Sequence, residues 1–197
     1  MGWCLLAGAA VAAVGCGSQS SGPNPGNAGP VSPAGVSATV DRAPAARDAN
    51  SVVPQCGTSD LSVVAGPENA AAGTVAFPVV FTNNGPGPCA LQGFPGVSYA
   101  DGPDGAPVGA PAARDGTWSG PVRVPPGGQA SALVFAVDVH NIPPEQCGPV
   151  AVPGLRIYPP DNTLSLYIAR SATACGNGQV TTAQLRVRAV VPGSDGH

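Results

Sequence analysis

Residues 75–81 read Val75-Ala76-Phe77-Pro78-Val79-Val80-Phe81, and every second side chain from Val75 to Phe81 is large and apolar. Successive side chains of an extended backbone point to opposite faces, so this alternation predicts a strand with one buried face. The same pattern returns in Leu133, Phe135, Val137 and Val139, with Ala and polar residues between them. That spacing predicts a second strand turning those four inward. Leu164, Leu166 and Ile168 give a third, and Leu185, Val187, Ala189 and Val191 a fourth, interleaved with Arg186 and Arg188. Shorter runs at Leu61 to Ala65, Val97 to Ala100, Val122 to Val124 and Leu155 to Tyr158 bring the total to about eight strands. Their spacing is that of a sandwich. Pro78 inside a strong strand implies an edge or a bulge, because it offers no N–H to a neighbour. Turn residues fill the gaps at Asn84-Gly85-Pro86, Asp101-Gly102-Pro103-Asp104-Gly105, Pro126-Gly127-Gly128 and Pro159-Pro160-Asp161-Asn162. The fold class expected is all-β: an antiparallel sandwich of seven to nine strands over residues 53–192, with 193–197 as a tail.

Composition agrees. The chain has 197 residues, 28 of them Gly and 24 Pro, yet 43% are hydrophobic and only 10% charged. Gly and Pro at that density break helices and make turns, while the apolar content is too high for simple disorder. All eight basic residues are Arg and the net charge is −3. No arginine cluster exists that would neutralise a run of phosphates, which argues against nucleic acid as a partner.

Ahead of the domain, Cys4 to Val14 is an apolar run of 11 residues. A bilayer span needs about 20, so the run reads as the apolar region of a signal peptide covering residues 1–15. It ends in Ala13-Val14-Gly15-Cys16. Small residues before a cysteine resemble the bacterial lipobox, in which the cysteine is lipidated and becomes the first mature residue. Cys16 is the expected lipidation site, and the membrane, reached through that anchor, the first expected partner. Ala13 stands where Leu is usual, and Met1-Gly2-Trp3 lacks a basic residue. The plainer alternative is an ordinary secretory signal that leaves a soluble protein. From Gly17 to about Asn50 the chain is Ser, Gly, Pro, Asn and Ala without apolar periodicity, as in a flexible spacer. Residues 16–52 are taken as lipidated N-terminus and linker.

Four cysteines lie in the domain: Cys56, Cys89, Cys147 and Cys175. In an exported chain an even number reads as disulfides. Of three possible pairings, geometry favours one. Cys147 and Cys175 are equidistant in sequence from Asp161, so a hairpin folded there brings them together. Cys56 and Cys89 flank the first two strands less symmetrically. The pairs expected are Cys56–Cys89 and Cys147–Cys175. A four-cysteine zinc site is disfavoured because no two cysteines are close in sequence.

The stretches FTNNGPGPCALQGFPGVSYAD, VGAPAARDG, LRIYPPDNT and ACGNGQVTTAQLRV resemble the actinobacterial domain-of-unknown-function family numbered 4232. The resemblance covers roughly Val53 to Val191, and Cys89 to Val97 is its most specific part. It implies a secreted or lipid-anchored protein with an immunoglobulin-like sandwich, and it supports the cysteine pairing. It transfers no catalytic residue.

A search for chemistry finds little. Gly96-Val97-Ser98-Tyr99-Ala100 is one residue off a Gly-x-Ser-x-Gly elbow, and Asp138 and His140 follow in hydrolase order. The elbow needs a strand, a sharp turn and a helix, whereas Ser98 precedes an Asp-Gly-Pro loop and reads as a strand residue. Asp138 and His140, two apart on one predicted strand, share a face opposite Phe135 and Val137 and are expected to be solvated. A metal would need more ligands, and the other histidine is His197. Asp101 and Asp104 lack calcium-loop spacing, and no phosphate loop or dinucleotide fingerprint is present. No catalytic, cofactor or metal residue is assigned. Tyr158 and Tyr167 read as cross-strand packing. Trp118, in the polar loop Arg114 to Gly120, reads either as a cap folded back on the core or as a binding anchor, and with Phe94, among turn residues, it makes up the candidate binding side chains. The expected function is a non-catalytic binding or scaffolding module outside the membrane, its partner an envelope protein or glycan. The alternative is a secreted hydrolase with an unrecognised site.

Overall fold

In a computed structural model the described residues are 52–177 and 183–197. The leader, Cys16 and most of the linker lie outside them. Thirteen strands follow in order: β1 Leu61–Ala65, β2 Asn69–Ala71, β3 Thr74–Asn83, β4 Cys89–Leu91, β5 Gly96–Ala100, β6 Pro107–Val108, β7 Ala113–Arg114, β8 Val122–Val124, β9 Gln129–Val137, β10 Pro149–Tyr158, β11 Leu166–Cys175, β12 Leu185–Val187 and β13 Val191–Pro192. One turn of helix, α1 Pro144–Cys147, joins β9 to β10 with a short 3-10 turn before it. The larger sheet runs β1-β3-β9-β12-β7, with β2 also on β3 and β13 also on β9. The second runs β11-β10-β5-β6, and β4 pairs β8 as a small third.

The two main sheets face each other across one core. Phe77, Val79 and Phe81 of β3 meet Leu155 and Ile157 of β10 and Val97 and Tyr99 of β5 there. The fold is therefore the all-β, immunoglobulin-like sandwich expected. Apart from an isolated parallel bridge from Gln55 to Ala90, pairing among the described residues is antiparallel except at β7, whose two residues run parallel to β12. That strand belongs to a long connection crossing from the second sheet, where Ala112 N–H bonds Val97 O, to the first, where Asp115 N–H bonds Val187 O. A crossing chain needs no hairpin and so is free to arrive parallel.

One facing assignment is corrected. On β9 the core residues are Ala130, Ala132, Val134 and Ala136, while Leu133, Phe135 and Val137 belong to the outer face. The partner strand explains this. Phe81 stands opposite Ala130, Val79 opposite Ala132, and Phe77 opposite Val134. Directly opposed side chains share a face, and the phenyl rings of β3 already fill that layer, so β9 contributes mostly alanine. The strand also ends earlier than expected. Asp138 Oδ1 accepts from His140 N–H at 3.0 Å, turning the chain into the 3-10 turn Val139–Asn141. Val139 thus packs with Ile142, Cys147 and Cys175 in a small second cluster rather than on the sheet.

Pro78 sits in an interior strand. Its neighbour on one side is interrupted between β1 and β2, where Gly66 N–H bonds Pro78 O at 2.8 Å. The missing donor falls at that interruption, which is the bulge reading of the sequence.

Both bridges form as expected, Cys56–Cys89 and Cys147–Cys175. Two asparagine side chains, Asn83 buried and Asn162 half-buried, fasten the loops around the bridges. Asn83 Nδ2 donates to Gly87 O at 2.9 Å and Val124 O at 3.0 Å, and its Oδ1 accepts from Gly85 N–H at 2.9 Å. Asn162, in the β10–β11 turn, donates to Cys56 O at 3.1 Å and accepts from Thr58 N–H at 3.2 Å. The last residues lie along β9, with Gly196 N–H donating to Ser131 Oγ at 2.9 Å.

Candidate functional site

The register of β12 on β9 builds the most developed surface feature. Leu185 and Val187 turn into the core, so Arg186 and Arg188 turn out. Arg186 stands opposite Phe135, and both guanidinium groups approach that ring, at 5.3 Å and 5.1 Å from its centroid. Both distances lie within the range of a cation–π contact. Arg188 Nε lies 3.8 Å from Asp115 Oδ2, and Arg186 makes no ion pair among the described residues. Ala76, Pro78, Leu133 and Phe135 floor a hollow of about 530 Å³ between the arginines and the β2–β3 hairpin, with Asp195 and His197 on its rim.

Trp118 is 47% exposed. It lines an adjoining hollow of about 360 Å³ with Asp115, Arg188, Val190 and His197. Arg188 and His197 belong to both hollows, so one surface runs from Trp118 to Phe135. Phe94 lines neither hollow. It is half-buried, with the Arg114 guanidinium 5.7 Å above its ring, and its loop is pinned by Val190 N–H on Gly93 O. The structure therefore joins Trp118 to residues that sequence reasoning had not paired with it, and leaves Phe94 apart.

The remaining candidates fall where turn and strand chemistry put them. Ser98 is a buried strand residue opposite Arg156. The loop of Asp101 and Asp104 is held by Arg156, whose Nη2 donates to Gly105 O at 2.7 Å and Pro103 O at 3.0 Å. Tyr158 lies against Gly96 and Tyr167 over Gly154, as cross-strand packing. His140 Nδ1 lies 2.7 Å from Asp138 Oδ1, and both side chains are well exposed. The backbone N–H of His140, then its ring, hold the Asp138 carboxyl below the usual aspartate pKa. The pair lines a hollow of about 270 Å³ with Tyr99, Arg170 and Ser171. Burial pushes the Tyr99 hydroxyl pKa up, and Arg170 partly offsets that. Among the described residues no hydroxyl is bonded to His140, and no group of three or more His, Cys, Asp or Glu is placed to hold a metal.

Residues 56–191, from the first bridged cysteine to the start of β13, match the family described as Domain of unknown function (DUF4232). The chain belongs to this family. No curated protein and no solved structure matches it. The DUF4232 match spans both bridges, the arginine pair on β12 and the Trp118 loop, so the whole surface described above lies inside the family domain apart from the residues after Val191. Four cysteines joined in two bridges indicate that this DUF4232 domain matures in an oxidising, extracytoplasmic compartment. Among the described residues no helix is long and apolar enough to cross a membrane.

Proposed function

We propose that the chain is a cell-envelope lipoprotein whose sandwich acts as a non-catalytic binding module. The observation supporting this most is the continuous surface from Trp118 through Arg188 to Phe135, borne on the larger sheet of a domain that carries two disulfides. Exposed Trp and Arg beside an apolar floor are the residue types that dominate recognition surfaces. The anchor reading rests on the sequence, where the apolar run ends in Ala13-Val14-Gly15-Cys16 and a spacer follows. Two acyl chains on one cysteine would hold the protein stably, whereas one would not.

A hydrolase would draw on Asp138 and His140. That reading is weaker, since the dyad is solvated and no nucleophile is bonded to the imidazole among the described residues. Two measurements test the proposal. Cys16→Ser should move the protein from the membrane fraction to the medium, and equal partition of variant and wild type would reject the anchor. A photo-crosslinking residue at position 118, used on intact cells, should capture a discrete partner. Crosslinks no more specific than those from position 104 would reject the binding surface.

A further inference from the structure

We infer that the hollow beside Phe135 receives an extended acidic peptide of a partner protein, with an Asp or Glu carboxylate on Arg186 and Arg188 and a large aliphatic side chain against the half-buried Phe135 and Ala76. The inference deepens the binding reading above and rests on it. Two like charges share one aromatic ring here, with no acidic side chain bonded to Arg186 among the described residues and only a 3.8 Å approach of Asp115 to Arg188 Nε. Guanidinium groups present a planar fork of donors, so such a pair is preset for carboxylate oxygens. The floor around them is apolar, which gives a purely polar ligand nothing to bury. It lies on the outer face of the larger sheet, as a trough between the β2–β3 hairpin and residues 195–197, which suits an extended chain better than a compact molecule.

Charge complementarity must be local. The whole chain carries net charge −3, so an acidic peptide gains no attraction at long range. Selectivity would then come from the two arginines and the contact with Phe135 and Ala76. Asp195 on the rim would disfavour a ligand whose acidic groups reach past the arginine pair.

The test uses the full isotope-labelled chain and two blocked peptides, acetyl-Ala-Leu-Glu-Leu-Glu-Ala-amide and its glutamine twin. The glutamate peptide should shift the Phe135, Arg186 and Arg188 signals saturably, and the twin should bind at least about tenfold more weakly. Arg186→Gln and Arg188→Gln should each lose about tenfold or more in affinity at unchanged melting temperature, while Arg123→Gln on β8 should bind as wild type. Equal binding of the two peptides, or wild-type affinity in both arginine variants, would overturn the assignment. So would the absence of saturable shifts, or tighter binding of an oligogalacturonate at the same residues. If the peptides fail while position 118 still captures a partner in cells, the peptide assignment falls and the binding reading stands. If both fail, the surface is not a recognition site.

Discussion

Ala72 holds φ of 48° beside Gly73 at 72°, in the two-residue link from β2 to β3. Positive φ at both central positions is the type I′ pattern, which favours Asn-Gly. Ala72→Asn should therefore raise stability by about 0.5–1 kcal/mol, measured by denaturant unfolding. Asn83 makes the opposite case. Only 1% exposed, it satisfies Gly85, Gly87 and Val124 at once. Asn83→Ala leaves those groups without partners, and a loss of about 2–4 kcal/mol should appear in the same assay. Neither role is visible in the string Phe81-Thr82-Asn83-Asn84-Gly85, which announces a turn but not which asparagine faces inward. Phe135 misled for a related reason. Large apolar residues usually mark the buried face, but which layer has room for them depends on the partner strand, here filled by Phe77 and Phe81.

Element by element, alternation was a sound guide to strands long enough to display it. Leu61–Ala65 and Val122–Val124 fall where the pattern places them, and β3 and β9 pair along nearly their whole lengths. Strands of two or three residues, such as β2, β6, β7 and β13, have no period to read and are set by tertiary pairing. The hairpin centred on Asp161 was legible from its turn residues, and with it the Cys147–Cys175 bridge. The surface proposed for binding was not, because it is assembled from β3, β9, β12 and a loop far apart in sequence. The bridges close separations of 33 and 28 residues. In the chain-entropy account each contributes about 3–4 kcal/mol. Cys56→Ala with Cys89→Ala, and separately Cys147→Ala with Cys175→Ala, should each lower the unfolding free energy by about that amount in denaturant titration.

The molecule as a whole combines a stiff domain with a surface that its own stability hardly needs. Trp118 is nearly half exposed and lines the hollow that it shares with Arg188 and His197. Trp118→Ala should cost less than about 1 kcal/mol in thermal unfolding yet, under the proposed binding role, weaken partner capture several-fold. A stability loss matching the binding loss would make the indole a cap on the core instead. The order of the cysteines has a consequence during export. Each bridge joins a cysteine to the next one along the domain. If the chain emerges N-terminus first, an oxidase that links thiols in order of appearance makes the native pairs of the domain without any reshuffling catalyst. Under the lipoprotein reading, Cys4 leaves with the leader, and the thiol ahead of Cys56 is Cys16. Acylation of Cys16 would then blunt the one sulfur able to capture Cys56 prematurely, making the membrane anchor also a guard on correct oxidation.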